Sequence, residues 1–333
     1  MRKQPAKTNR LINTVPAVDG PRVGVVPECC VITGARLMSH RRQFMQAAVA
    51  TSVAGAGNSW QLAGSAWAAP AVERWRAKVV RLEALTHNVR RVSLLPLDTE
   101  FTFAAGQYVL LRAPAGYLTD FNARYQTKHK QVARPYSFAS MPAAGSGFDL
   151  IIKHYPAPPD REDQVPPGVL STYVHKHLKV GDTVQLGKPR GKLYSPTEPD
   201  RPVVMVAGGV GAAPFVGLLS HLFREGVDKE REIYFFLGVR SRKDLLLHEQ
   251  FGQWAKTKPA FHYIPALSHP EPTDNWNGRK GYINVVLEKH FKDQLDAEVY
   301  LAGSPVMVKF TRQVLDKLGV KKERVHKDPI RVQ

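Results

Sequence analysis

Two short stretches carry residue types that could hold a flat, phosphorylated molecule. Gly208-Gly209-Val210-Gly211-Ala212-Ala213-Pro214 lies between the apolar run 203–207 and a stretch of helical periodicity at 214–223. Glycines in such a turn let the backbone approach a pyrophosphate, and the helix start faces it with unbonded N–H groups and a positive dipole end. The same glycines could equally serve a tight turn without a ligand, because positive φ alone selects glycine. No Lys-Ser or Lys-Thr follows, which excludes a Walker loop. The second stretch is Arg134-Pro135-Tyr136-Ser137. A tyrosine can pack on the face of a ring, a serine can bond an edge nitrogen and an arginine can neutralise a diphosphate. Strand alternation puts Arg134 and Tyr136 on one face and Ser137 on the other, so the three converge only at a kink or strand end. The alternative is a half-buried strand with ordinary polar edges.

Composition narrows the chemistry. The chain has 333 residues and two cysteines, the adjacent Cys29 and Cys30. Neighbouring thiols cannot supply the spaced ligands of an iron–sulfur cluster or a structural zinc. No metal site is therefore expected, and redox chemistry would need a bound organic cofactor. A hydrophobic share of 43% with 23% charged residues excludes disorder as the main state. The formal charge of +18 invites a nucleic-acid reading, but the cations are scattered and no recognition motif accompanies them, so nucleic-acid binding is set aside. Beyond the first 68 residues, no apolar run is long enough for a stable membrane span.

The elements that must position these stretches fall into two patterns. From 72 to 191, short apolar runs at 77–82, 91–95, 108–112, 148–154 and 183–186 are separated by Gly, Pro, Asp and Ser, the rhythm of an antiparallel sheet or barrel. Only 170–178 reads as a helix in this half. After a polar, proline-rich hinge at 194–202 the pattern changes. Strands at 203–207, 233–237, 261–266 and 298–301 alternate with helices at 214–223, up to 256, 283–291 and 306–318, which implies an α/β doubly wound parallel sheet.

The first 68 residues read as a targeting segment with eight Lys/Arg and two acids. Ser39-His40-Arg41-Arg42-Gln43-Phe44-Met45, an Ala-rich run at 47–56 and Ala66-Trp67-Ala68 follow the order of a twin-arginine export signal with a small-residue cleavage site. The basic stretch upstream suits a plastid transit peptide ahead of a thylakoid-type signal, although it lacks serine. Alternatively, Met38 is the true start of a bacterial periplasmic protein. Without this segment the chain carries about +12.

In sequence order, Gly106-Gln107-Tyr108, Arg134-Pro135-Tyr136-Ser137, Gly168-Val169-Leu170-Ser171, Gly209-Val210-Gly211-Ala212-Ala213-Pro214 and Gly303-Ser304-Pro305-Val306-Met307 resemble the motifs of the ferredoxin–NADP reductase family of flavoproteins. The resemblance spans 72–327. Within the family, Tyr155-Pro156-Ala157-Pro158-Pro159 and Asn275-Trp276-Asn277-Gly278 are similar to segments in the FAD/NADH-binding part of the F subunits of sodium-translocating NADH:quinone oxidoreductases. The resemblance implies an antiparallel β-barrel FAD-binding domain at 70–197 and a Rossmann-like NAD(P)-binding domain at 200–330.

By this resemblance Arg134 binds the FAD pyrophosphate, Tyr136 stacks on the isoalloxazine and Ser137 reaches the flavin N5, the last two being the catalytic pair. Lys153 is a further flavin contact, and Gly168, Val169, Leu170 and Ser171 present N–H groups and a hydroxyl to the pyrophosphate. Gly209, Gly211, Pro214 and Gly303 shape the nicotinamide-dinucleotide pocket, with Arg240 beside it. Ser268, Arg279 and Tyr282 read the adenosine ribose. His269 stands where NADH-specific relatives often carry an acid, and Arg279 and Lys280 could hold a 2′-phosphate, so NADPH is favoured slightly over NADH; a solvated loop face is the other reading. The implied function is an FAD-dependent NAD(P)H oxidoreductase with a small-molecule or protein acceptor, such as an acidic ferredoxin or flavodoxin. Two departures stand against fast turnover: Ala302 replaces a common cysteine, and the chain ends without the usual aromatic. They leave open a flavin- or nucleotide-binding regulatory module.

Overall fold

The computed structural model describes residues 75–328 apart from 142–145, 163, 192–195, 197 and 199. The targeting segment expected at 1–68 and most of the hinge lie outside the described residues. Both sheets belong to one unit of the chain, Trp67–Gln333.

The first sheet is antiparallel and contains β1 (Trp75–Thr86), β2 (Val89–Pro96), β3 (Tyr108–Arg112), β4 (Ala133–Ser137), β5 (Phe148–Lys153) and β6 (Thr183–Leu186), in the order β4-β3-β6-β1-β2-β5. Alternating apolar residues make one face of each strand the interior, as in β3, where Val109 and Leu111 are buried. Register shifts in β1 at Val79/Arg81 and Ala84/Thr86 help bend the sheet. It curls until its ends meet: Phe138 bridges Leu150, and Ala139 N donates to Asp149 O at 2.8 Å. Phe101, Phe138 and Phe148 fill the interior, with Phe101 and Phe148 stacked at 5.2 Å.

Two helical features differ from the sequence reading. Between β3 and β4 the chain forms α1 (Ala115–Tyr125), a helix where none was expected. Its inward residues, Leu118 and Phe121, are few, and Pro114 at the N-cap offers no side-chain cap, so its signal is faint. Asn122 orders the return loop, accepting from His129 N at 2.9 Å and donating to His129 O at 2.9 Å. The helix expected at 170–178 is α2 (Val169–Thr172) running into a π-helical turn, Tyr173–His177.

The second sheet is wholly parallel, with β7 (Val203–Gly208), β8 (Ile233–Val239), β9 (Phe261–Leu267), β10 (Arg279–Lys280), β11 (Glu298–Ala302) and β12 (Val325–Lys327) in the order β10-β9-β8-β7-β11-β12. Residues 203–207 are buried throughout, as a strand covered on both faces requires. β10 and β12 extend the four expected strands; at two and three residues they are too short to show a period. The intervening helices are α3 (Ala213–Arg224), α4 (Val227–Glu230), α5 (His248–Thr257), α6 (Ile283–Phe291) and α7 (Pro305–Lys317).

From β7 the chain builds outward through β8, β9 and β10, then crosses back to lay β11 on the other side of β7. That reversal opens a crevice at the carboxyl ends of β7 and β11, where ligands bind in open α/β sheets. A shared core brings the barrel to this crevice: Val89, Ala105, Ala139 and Ile151 pack with α3 and the second sheet. Gly217 permits the approach, since a Cβ there would lie 2.7 Å from the Phe138 carbonyl oxygen and 2.8 Å from that of Ser140.

Candidate active site

A pocket of about 510 Å³ lies where the barrel meets the ends of β7 and β11. Arg134, Tyr136 and Ser137 all line it. Strand alternation is overcome as the sequence requires, because β4 ends at Ser137, opposite Tyr108. Ser137 is buried. Burial raises the Tyr136 phenol well above its ordinary range, with the Arg134 charge opposing the shift, so the ring stays neutral. The Arg134 side chain is exposed at the rim, where Nη1 donates to Ala133 O at 3.1 Å.

Lys153, at the end of β5, lines the same pocket, with Nζ 6.0 Å from the Tyr155 ring centroid. Beside it is the turn of Gly168, Val169, Leu170 and Ser171. Gly168 N donates to Tyr155 O at 2.9 Å, and the buried Ser171 hydroxyl donates to Gly168 O at 3.0 Å and accepts from Tyr155 N at 3.2 Å. A Cβ on Gly168 would meet Ser171 Oγ at 2.7 Å, so glycine is needed to keep the turn this tight.

The second sheet supplies Val210, Gly211, Ala213, Pro214, Ala302 and Gly303. Gly211 sits so close to β11 that a Cβ would lie 2.3 Å from the Ala302 carbonyl oxygen. Gly209 has φ +54 and shapes the turn without lining the pocket. Its glycine character therefore reports backbone conformation. At Ala302 a methyl group stands in the wall.

Sequence reasoning did not choose Tyr155, Ile151 or Asp328, which also line the pocket. Asp328 is placed by β12, its N–H donating to Leu301 O at 2.9 Å, and its Oδ2 accepts from Ser137 Oγ at 3.4 Å. No local motif marks this aspartate; only the pairing of β12 with β11 brings it in.

Arg240, Ser268, Arg279 and Tyr282 lie outside that pocket and gather at the carboxyl ends of β8, β9 and β10. His269 N donates to Arg240 O at 2.8 Å, Ser268 N to Val239 O at 2.9 Å and Gly281 N to Leu267 O at 2.8 Å. Ser268 Oγ is 3.0 Å from His269 Nδ1, and the His269 and Tyr282 rings meet edge-on at 5.8 Å. Tyr282, Arg279 and Lys280 are exposed. Beside them, the cations Arg240, Arg242 and Lys243 are neighbours in sequence, and their charge is partly neutralised. Arg242 Nη1 donates to Asp274 O at 2.9 Å, while Lys243 Nζ pairs with Glu271 at 2.9 Å. Among the described residues no group of three or more His, Cys, Asp or Glu could hold a metal, and no helix is long and apolar enough to cross a membrane.

The pocket suits FAD. A stacking face at Tyr136, a hydroxyl at the edge, a cation and a tight backbone turn surround one cavity, within the usual size range of ligand sites. An antiparallel barrel joined through that pocket to a parallel dinucleotide sheet defines a two-domain flavin- and nicotinamide-dependent oxidoreductase. The oxidoreductase FAD-binding domain model matches residues 76–194, and the oxidoreductase NAD-binding domain model matches 205–313. The chain belongs to this FAD- and NAD-binding oxidoreductase family, of the ferredoxin–NADP reductase type.

Among its relatives is the F subunit of the Na(+)-translocating NADH-quinone reductase of Neisseria meningitidis, 32% identical over 278 residues, covering 76% of this chain and 67% of the relative. Solved structures share the fold. The Amycolatopsis cytochrome P450 reductase GcoB superposes with a TM-score of 0.63 at 23% identity, over 78% of this chain and 70% of that one. A ferredoxin NADP+ reductase from Neisseria gonorrhoeae with bound FAD and NADP gives 0.58 at 18% identity, over 77% and 98%.

Proposed function

We propose that the chain takes reducing equivalents from NADPH onto FAD and hands them to an acidic electron-carrier protein of the ferredoxin or flavodoxin type. The observation that carries this reading is the convergence of Arg134, Tyr136, Ser137, the Gly168–Ser171 turn and the β7 and β11 ends on one pocket.

Bound FAD would supply the hydride and one-electron chemistry. The chain's residues bind and orient it. Tyr136 offers a neutral aromatic face, while Arg134 and the N–H groups of Val169, Leu170 and Ser171 oppose diphosphate charge; the Gly168 N–H is already bonded to Tyr155 O. Ser137 and Asp328 both line the pocket and the Ser137 hydroxyl donates to Asp328, an arrangement in which that hydroxyl can receive a proton from the pocket as it gives one to the carboxylate. The Gly211 and Gly303 backbones leave room for the nicotinamide at the crevice.

NADPH is favoured by the half-buried Ser268 with the exposed His269, Arg279, Lys280 and Tyr282, which could engage a 2′-phosphate; the meningococcal relative's name specifies NADH for that protein. The excess of cations suits an acidic acceptor. Steady-state turnover with NADPH or NADH and an acidic ferredoxin tests the reading: higher kcat/KM with NADPH and slowing by salt are expected. Equal use of both coenzymes and salt-independent transfer would contradict it.

The methyl group of Ala302 in the wall supports a second reading, a flavin- or nucleotide-binding regulatory module with little turnover. That reading requires the bound flavin to stay oxidised when NADPH and NADH are added without oxygen.

A further inference from the structure

We infer that Tyr117, on the helix absent from the sequence reading, is a positioning residue for the FAD diphosphate, acting through the Val169–Leu170 peptide. This rests on the FAD reading above. The Tyr117 hydroxyl donates to Val169 O at 2.9 Å. That carbonyl also accepts from Tyr173 N, so both its lone pairs are engaged. The oxygen belongs to the same peptide group as the Leu170 N–H, and Leu170 lines the pocket.

A donor on the carbonyl polarises the peptide and makes its N–H a stronger donor. Tyr117 therefore strengthens the N–H of a pocket-lining residue without itself lining the pocket. It also fixes the turn's position, because its ring is held against Tyr173 at 5.1 Å and His177 at 5.0 Å. Burial and the neighbouring Tyr125 push the phenol up to about 12, so it remains a donor throughout the neutral range.

α1 reaches the other side of the diphosphate site as well. Asn122 orders the return loop at His129, which leads into β4 and Arg134. One helix thus braces the backbone turn and the approach to the arginine.

The test is flavin binding by the full chain after release of its flavin, with FAD and riboflavin titrated separately. Riboflavin has the ring system and no phosphate. Tyr117→Phe keeps the ring packing and removes the donor, and FAD is expected to bind about fivefold more weakly, the scale of one neutral hydrogen bond. Riboflavin affinity should stay within about twofold of wild type, and the 31P resonances of bound FAD should move. Equal weakening of both ligands would reduce Tyr117 to packing, and unchanged FAD affinity would remove its role. Tyr173→Leu, which removes one of the rings that hold Tyr117, is expected to give a FAD-selective loss in the same direction; a loss shared by riboflavin overturns the inference. If wild type itself binds neither ligand, the cofactor reading fails instead.

Discussion

Ser137 Oγ donates to Asp328 Oδ2 at 3.4 Å, joining the end of β4 to the residue after β12, 191 positions along the chain. The contact is longer than a relaxed hydroxyl–carboxylate bond. Catalytic hydrogen bonds often tighten only when the ligand is present. Asp328→Asn keeps the shape and removes the charge. Hydride transfer from NADPH to the flavin releases no separate proton, whereas reoxidation by a one-electron acceptor must release the flavin N–H proton. Reoxidation should therefore slow by about a hundredfold, the lower range of proton-transfer effects, while FAD content and reduction by NADPH are retained. Rapid-mixing absorbance decides it; an unchanged reoxidation rate would remove Asp328 from proton handling.

Arg134→Ala tests the diphosphate assignment. Hydrogen bonds to charged groups contribute about 1.5–3 kcal/mol, so FAD affinity should fall roughly ten- to a hundredfold. Equilibrium titration would show it, with far-UV circular dichroism to confirm the fold. Undiminished FAD affinity would mean that Arg134 serves another ligand or only the rim.

Arg279→Ala together with Lys280→Ala should lower kcat/KM for NADPH by at least about tenfold and leave NADH nearly untouched, because only NADPH carries the extra phosphate for these charges. Parallel loss with both coenzymes would place the two cations on a surface with no coenzyme role.

Acid should loosen the flavin-binding half. His154 and His175 stack at 5.1 Å between the end of β5 and the π-helical turn. Burial holds both below the ordinary imidazole range; His175 and Lys176 add to the effect on His154. For His175 a hydrogen bond to Ile152 O opposes burial, while Arg90 assists it. The unfolded chain takes up protons near pH 6.5 while the folded chain resists. The pair's contribution is therefore fully present above that pH and declines as pH falls towards the depressed folded values. Melting at pH 7.5 and 5.5 should show a smaller drop in the His154→Gln, His175→Gln double variant than in wild type. Identical drops would assign the acid sensitivity elsewhere.

The basic segment at 1–68 is proposed to be removed in the cell. N-terminal sequencing of the mature protein should give a terminus near Ala69, after Ala66-Trp67-Ala68. A terminus near Arg36 would point to transit-peptide removal alone, and an intact start would overturn processing.

Strand period and glycine placement made much of the fold legible. The buried run 203–207 and the glycines after it located the dinucleotide crevice, because a covered parallel strand and a close turn tolerate few other residues. Arg134, Tyr136 and Ser137 were readable as a group because they are neighbours in sequence. Asp328 was not, since a lone carboxylate gains its place only through the pairing of Leu301 with Lys327 one residue earlier. α1 escaped because Leu118 and Phe121 give its buried face too little pattern and its N-cap carries no signal. The short strand at Arg279–Lys280 exists through parallel pairing with Ala266 and Leu267, a contact invisible to local period.

Anaerobic addition of NADPH to the FAD-loaded full chain tests the central reading most directly. The expected result is stoichiometric loss of the oxidised-flavin absorbance within seconds, with electrons recoverable on an acidic one-electron carrier. A flavin that remains oxidised over hours with both NADPH and NADH would contradict the oxidoreductase mechanism and leave a binding module.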